Sequence, residues 1–288
     1  MIHLFGCCEA LRRYHLILTR EKSMIQLAVT GAAGRMGRTV IQAIKNNPNV
    51  ELACAIERGD SDFLGMDAGQ VAGIGNVDVV IGGDLSERKF DVLIEFTGPQ
   101  ATLIHAQHCR NSGGRMVIGT TGFSDNEKRR ISKLSEDMAM VVAPNMSVGV
   151  NLCFHLVELA ARTLGDDADI EIVEAHHRHK VDSPSGTALR LGEIAAAAVG
   201  RDLGEHAIYG RHGQVGPRDP KTIGFSTIRG GDIVGEHSVL FAGEGERVEI
   251  SHRSSSRLTF ANGAIRAALW CMQHDSGLFD MQDVLGLK

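Results

Sequence analysis

A chain of 288 residues, 43% of them hydrophobic, holds enough apolar matter for one large core or two modest ones. Its net charge of -5 argues against nucleic acid or an anionic membrane as the main partner, since either favours a basic surface, and leaves small neutral or anionic ligands open. No uninterrupted apolar run reaches the roughly 18 residues that a membrane-spanning helix needs.

The first 23 residues share no pattern with the rest of the chain, and Arg12 and Arg13 interrupt their apolar character. A secretory signal would put its charges before the apolar run and end at a small-residue cleavage site, and neither is present. An organellar presequence is the lesser alternative. The segment is expected to be a disordered or artefactual extension, with Met24 as the functional start.

From Ile25 short apolar runs alternate with helical ones: IQLAVTG, RMGRTVIQAIKNN, VELACAIE, DVLIEFTG, ATLIHAQHCRNSG, RMVIGTTG, DNEKRRISKLSED and MAMVVAPN. This alternation predicts a parallel sheet wrapped by helices, with Gly31, Gly98 and Gly119 at strand ends where ligands approach such sheets. After Asn145 the pattern changes to a helix over 149–164, the strand DIEIVEAHH and a second helix begun by SPSGTALRLGEIAAAAV. The runs TIGFSTI, EHSVLFA and RVEISHR come next, and the Gly-containing turns RGGD and GEGE between them predict antiparallel hairpins. The last segments, LTFANGAIRAALWCMQ and LFDMQDVLGL, read as helical and apolar and are expected to cover the first unit. The expected fold class is α/β: a Rossmann-like parallel-sheet nucleotide-binding domain over 24–147 and 258–288, plus a smaller α+β domain with a mixed sheet over 148–257. The six cysteines include no CxxC pair, which predicts reduced thiols in a cytoplasmic protein and neither a zinc ribbon nor a dithiol centre.

The run GAAGRMG, Gly31 to Gly37, lies between a predicted strand and a predicted helix, as a dinucleotide-binding turn requires. Gly31 and Gly34 permit a tight turn against phosphate and Gly37 lets the helix approach the strand, although Ala33 replaces the usual middle glycine and a plain glycine-rich turn is the alternative. Glu57 and Arg58 end the second apolar run at the spacing where a carboxylate accepts from ribose hydroxyls and a guanidinium pairs with a 2′-phosphate. Side by side they predict use of NADH and NADPH alike, unless they are simply two solvated charges.

The most specific stretch is EAHHRHKVDSPSGTAL, from Glu174 to Leu189. His176, His177, Arg178, His179 and Lys180 gather positive or protonatable groups in an acidic chain, and Ser185, Gly186 and Thr187 open a predicted helix whose free N–H groups can hold a carboxylate. A small dicarboxylate fits this pairing. Two readings compete: Ser-Gly-Thr as a simple helix cap, and the histidines as a metal site, the latter disfavoured because adjacent histidines in an extended segment point to opposite faces.

Over nearly all of residues 24–288 the chain resembles the dihydrodipicolinate reductase family, with EAHHRHKxDxPSGTAL, VTGAAGRMGR, IGTTGF, GDIVGEH, FANGAIRAALW and GLFDMxDVL all present. The resemblance implies NAD(P)H-dependent reduction of 4-hydroxy-tetrahydrodipicolinate to tetrahydrodipicolinate with loss of water, in lysine and diaminopimelate biosynthesis, by a cytoplasmic homotetramer built through the second sheet. Carried over residue by residue, it implies cofactor contacts from Gly31, Ala32, Ala33, Gly34, Arg35, Met36, Glu57, Arg58, Gly119, Thr120, Thr121, Ala143, Pro144, Asn145 and Met146. It also implies acid/base roles for Lys180 and His176, substrate carboxylates on His177, Gly186 and Thr187, and no metal. Two positions depart from the family's habit: Met146 stands where an aromatic residue is common, and Gly98 where an arginine is. The rival enzyme is another imine or carbonyl reductase on this plan, such as an amino-acid dehydrogenase. A non-catalytic redox-sensing module would have no use for the His176–Lys180 loop.

Overall fold

The computed structural model describes residues 24–86 and 88–288. The expected extension over 1–23 lies outside the described residues. The first half supplies β1 (Ile25–Thr30), α1 (Arg35–Lys45), β2 (Val50–Ile56), α2 (Ala68–Ala72), β3 (Ile81–Gly82) and β4 (Val92–Glu95). It continues with α3 (Pro99–Ser112), β5 (Arg115–Ile118), α4 (Asp125–Leu134) and β6 (Ala139–Val142).

Successive residues of these strands bury on opposite faces. Leu27 and Val29 of β1 join Val40, Ile44, Ala264 and Ala268 in one core, whereas Ala28 joins Leu93, Leu103, Met116 and Ile131 in another. Burial on both faces is why the strands read as unbroken apolar runs and pair in parallel. The order is β3-β2-β1-β4-β5-β6, every pair parallel, and the order reverses between β1 and β4. The crevice at the carboxyl ends of β1 and β4 is where open α/β sheets bind ligands.

Beyond β6 come α5 (Val148–Leu164), β7 (Asp169–His176), α6 (Gly186–Ala198), α7 (Leu203–His206), β8 (Ala207–Ile208), β9 (Ile223–Arg229), β10 (Gly235–Ala242) and β11 (Arg247–Ser254). Their sheet runs β11-β10-β7-β9-β8, antiparallel on the β10 side of β7 and parallel on the other, and is therefore mixed. Phe154 and Val157 of α5 and Leu191 and Ala195 of α6 pack on the face that carries Ile170, Ile172, Phe225 and Phe241.

Two sequence expectations are corrected here. The turn GEGE does join an antiparallel hairpin, β10 to β11, but RGGD does not, because β7 lies between β9 and β10. That segment instead wraps the end of β7: Gly230 N–H donates to His176 O (3.0 Å) and His177 N–H to Ile233 O (2.7 Å). LFDMQDVLGL is not one helix either. Gly277–Phe279 forms β12, a seventh parallel strand beside β6. The Asp280 side chain caps the short α9 (Met281–Leu285) by accepting from Gln282 and Asp283 N–H, so the helix starts only there. Helix α8 (Leu258–Cys271) buries Ala261, Ala264, Ile265 and Ala268 in the core of the first sheet.

Candidate active site

The turn after β1 is built around side chains that are missing. Gly31 takes φ +62°, and Gly34 N–H closes the turn by donating to Gly31 O at 2.9 Å. A Cβ on Gly37 would stand 2.1 Å from Gly31 O and 2.8 Å from Ala32 Cα, so α1 approaches the turn as closely as glycine alone permits. The N-cap of α1, Gly34, has no side chain, and no acidic residue occupies the first turn, which leaves its N–H groups free for an anion. Ala32 is buried with its N–H on Ile56 O (3.0 Å), Arg35 reaches the cleft, and Met36 packs against the core. The Glu57 carboxylate, just past the end of β2, accepts from Ala33 N–H (2.9 Å) and Arg58 N–H (3.2 Å). Arg58 is exposed, its Nε 3.4 Å from Asp60. A bare turn, an open helix start and an adjacent carboxylate fit a dinucleotide's pyrophosphate and ribose.

Two further loops border the same crevice. Gly119 lies so close to the Phe96 ring that a Cβ would come within 2.0 Å of it, Thr120 is buried and takes the hydroxyl of Thr102 (3.0 Å), and Thr121 lines the cleft. Ala143 N–H continues the sheet by donating to Ile118 O (3.0 Å), and Pro144 and Asn145 line the cleft. Met146 stands apart: it is 1% exposed and packed in the core, and α8 presses so close that a Cβ on Gly263 would sit 1.7 Å from Met146 O. Gly98 caps α3 with open space around it.

A cleft of about 670 Å³ separates the two sheets, with Arg35, Thr121, Pro144 and Asn145 on one side and His176, His177, Lys180, Gly186 and Thr187 on the other. Asn145 Nδ2 donates directly across it to Thr187 Oγ1 (3.2 Å). His176 ends β7, its Nδ1 2.6 Å from Glu174 Oε2 and its ring edge-on to His237 at 5.1 Å. Burial lowers the His176 pKa, and the Glu174 carboxylate opposes that shift. His237, more deeply buried and beside His176, is pushed down to about 3 and is neutral at ordinary pH. Lys180 Nζ donates to both carboxylate oxygens of Asp182 (2.8 Å each), which holds that carboxyl below its usual range.

Ser185 does cap α6, its Oγ accepting from Ala188 N–H (3.1 Å), as the capping alternative required. The same hydroxyl meets His237 Nε2 at 2.9 Å, and Gly186 and Thr187 face the cleft, so capping leaves the helix start open to it. Sequence reasoning missed Glu174, Asp182, Arg229 and His237. The Glu174/His176 pair carried a signal, since residues two apart on a strand share a face. His237 ends the GDIVGEH run that helps carry the family resemblance, but its place beside Glu174 comes only from the β7–β10 register.

Sheets of this order take dinucleotides at the switch point, and here a wall carrying His176, His177, Lys180 and the start of α6 faces that point. Fold and site together define a nicotinamide-dependent oxidoreductase. The family model described as dihydrodipicolinate reductase, N-terminus, matches residues 25–146, and that described as its C-terminus matches 149–285. The chain belongs to the dihydrodipicolinate reductase family. A Methylococcus capsulatus protein named 4-hydroxy-tetrahydrodipicolinate reductase is 58% identical over 267 residues, covering 92% of this chain and 99% of that one. The solved dipicolinate-bound dihydrodipicolinate reductase from Paenisporosarcina sp. TG-14 superposes with a TM-score of 0.72 at 26% identity, over 90% of this chain and 98% of that one. The WlbA dehydrogenase of Thermus thermophilus, solved with NAD and alpha-ketoglutarate, shares the fold at 14% identity, with a TM-score of 0.54 over 92% of each chain.

Proposed function

We propose that this chain reduces 4-hydroxy-tetrahydrodipicolinate to tetrahydrodipicolinate with loss of water, a step of lysine and diaminopimelate biosynthesis, and accepts either NADH or NADPH. The observation that carries the reading is the single cleft into which both the glycine-turn side and the His176–Thr187 wall open. Dipicolinate, bound by the Paenisporosarcina relative, is a planar ring with two carboxylates, the shape this wall suits.

In this reading Gly31–Met36 hold the pyrophosphate, and Glu57 and Arg58 hold the adenosine ribose and any 2′-phosphate. Gly119–Thr121 and Ala143–Asn145 line the nicotinamide end, with Met146 contributing through its backbone. The nicotinamide, when bound, supplies the hydride for ring carbon 4 of the dehydrated substrate. His177, Gly186 and Thr187 orient the two carboxylates, which fixes the ring before chemistry. Lys180 supplies a proton to the conjugated imine from Nζ, and His176 orients or shares it. Residues 24–147 with 258–288 form the nucleotide-binding domain and 148–257 the substrate and assembly domain of a cytoplasmic homotetramer. The face of the second sheet opposite its helices presents Val173, Ser226, Ile228 and Leu240 for that assembly, with Ile228 half exposed.

The test is substrate-dependent oxidation of NADPH, followed by nicotinamide absorbance, with substrate made in situ by condensing pyruvate with aspartate semialdehyde. Turnover is expected with this substrate and not with simple oxo acids. The reverse pattern would favour the amino-acid dehydrogenase reading.

A further inference from the structure

Glu174 is 1% exposed, and its carboxylate is fully engaged within the protein. Oε1 accepts from Ser185 N–H (3.0 Å), Thr227 Oγ1 (3.4 Å) and Arg229 Nη2 (2.8 Å). Oε2 accepts from Arg229 Nη1 (2.8 Å) and faces His176 Nδ1. Arg229 Nη2 also donates to the backbone carbonyl of Asp182 (2.7 Å), the residue whose side chain holds Lys180. One buried carboxylate therefore touches His176 and the start of α6, and through Arg229 reaches the anchor of Lys180.

The electrostatics decide what His176 presents. Burial alone would raise the Glu174 carboxyl, but bidentate Arg229, with His176 and Ser185, holds it below the usual range, so it is ionised and can only accept. The His176 nitrogen facing it must carry a hydrogen. That leaves Nε2 as the ring position free to take up or release a proton. Gly235 keeps the backbone open there, since a Cβ on it would stand 3.1 Å from Nε2.

We propose that Glu174 is the positioning residue of this site and Arg229 its clamp: together they fix the His176 tautomer and set the Lys180 loop and the carboxylate-binding helix start against that ring. The proposal rests on the reading that this loop handles the substrate's proton. Buried ion pairs contribute little net stability over apolar isosteres, while removing one partner is strongly destabilising. Stability and positioning can therefore be separated by removing both partners.

The experiment compares Glu174→Gln, Arg229→Met and the double variant with wild type by steady-state kinetics and thermal melting. Glu174→Gln is expected to lower kcat on the order of 10²-fold with the KM for NADPH within about twofold. The pH-profile limb that reports His176 should move toward acid, because the carboxylate that favours the imidazolium is gone. The other charged or titratable groups near that ring, namely Arg229 from β9, His237 from β10 and Lys180 from the loop, keep their identities in that variant. The double variant should regain melting temperature relative to either single one while kcat stays low, and it carries the test if a single variant does not fold. A kcat near wild type in Glu174→Gln, or one that recovers with melting temperature in the double variant, would overturn the proposal. If wild type itself fails to turn over 4-hydroxy-tetrahydrodipicolinate, the activity reading falls. Calorimetric binding of dipicolinate then decides this proposal separately, with weakening of about tenfold in Glu174→Gln expected and unchanged affinity overturning it.

Discussion

The backbone N–H of Ala33 donates to the Glu57 carboxylate over 2.9 Å, tying the glycine turn after β1 to the end of β2. Glu57 thus shapes the turn, and in the proposed function it also offers oxygens to a ribose. Glu57→Ala should weaken NADH and NADPH alike by about tenfold or more, since a hydrogen bond to a charged group contributes roughly 1.5–3 kcal/mol. Fluorescence titration with both coenzymes checks this; loss confined to one of them would separate Glu57 from the turn.

Arg58 is exposed and leans on Asp60, so nothing among the described residues buries its guanidinium away from a 2′-phosphate. Arg58→Ala should raise the KM for NADPH far more than for NADH, because only NADPH presents that group. Asp60→Asn should shift preference modestly the other way, by removing a competing anion. Parallel steady-state kinetics with the two coenzymes decide it, and equal effects of Arg58→Ala on both would refute the assignment.

Two glycines make opposite predictions. Gly37→Ala forces a Cβ to 2.1 Å from Gly31 O and should cost about 1–3 kcal/mol or more, with loss of coenzyme binding. Gly98→Arg meets open space and should stay within about 0.5 kcal/mol of wild type. Its effect, if the family's usual arginine touches the cofactor, belongs in the coenzyme KM. Thermal melts of the two variants distinguish these outcomes directly.

The nucleotide half was legible because β1, β4, β5 and β6 bury both faces and so read as continuous apolar runs. The RGGD turn was misread because the same turn chemistry serves a hairpin and a crossing over one intervening strand, and only the β9-β7-β10 order separates them. The strands Ile81–Gly82 and Gly277–Phe279 are too short to show a period. Within the site, His176 and Lys180 announced themselves by charge in one loop, whereas the partner of Glu174 is Arg229, 55 residues away on β9. Met146 reads as a crevice residue in sequence, yet its side chain is claimed by the core beneath α8, an element more than a hundred positions on.

Acid stability should report His237. Its folded pKa is depressed by burial from 6.5 to about 3, so the unfolded chain binds the extra proton first as pH falls. The contribution of this group is whole above 6.5 and is lost progressively between 6.5 and about 3, at up to about 1.4 kcal/mol per pH unit. His237→Asn should flatten the dependence of melting temperature on pH across that window. An unchanged slope would mean that the ring titrates alike in the folded and the unfolded chain.

The most direct test of the account is steady-state kinetics of Lys180→Ala with 4-hydroxy-tetrahydrodipicolinate and NADPH. Lys180 lines the cleft, anchored by Asp182, and in the proposed function it acts on the substrate and not the coenzyme, so its loss should lower kcat by about 10²–10⁴-fold and leave the KM for NADPH nearly unchanged. His176→Ala should fall in the same range, and the double variant should lose less than the product of the single losses, because groups serving one proton transfer do not act independently. Wild-type kcat in both single variants would remove the loop from the mechanism and contradict the account.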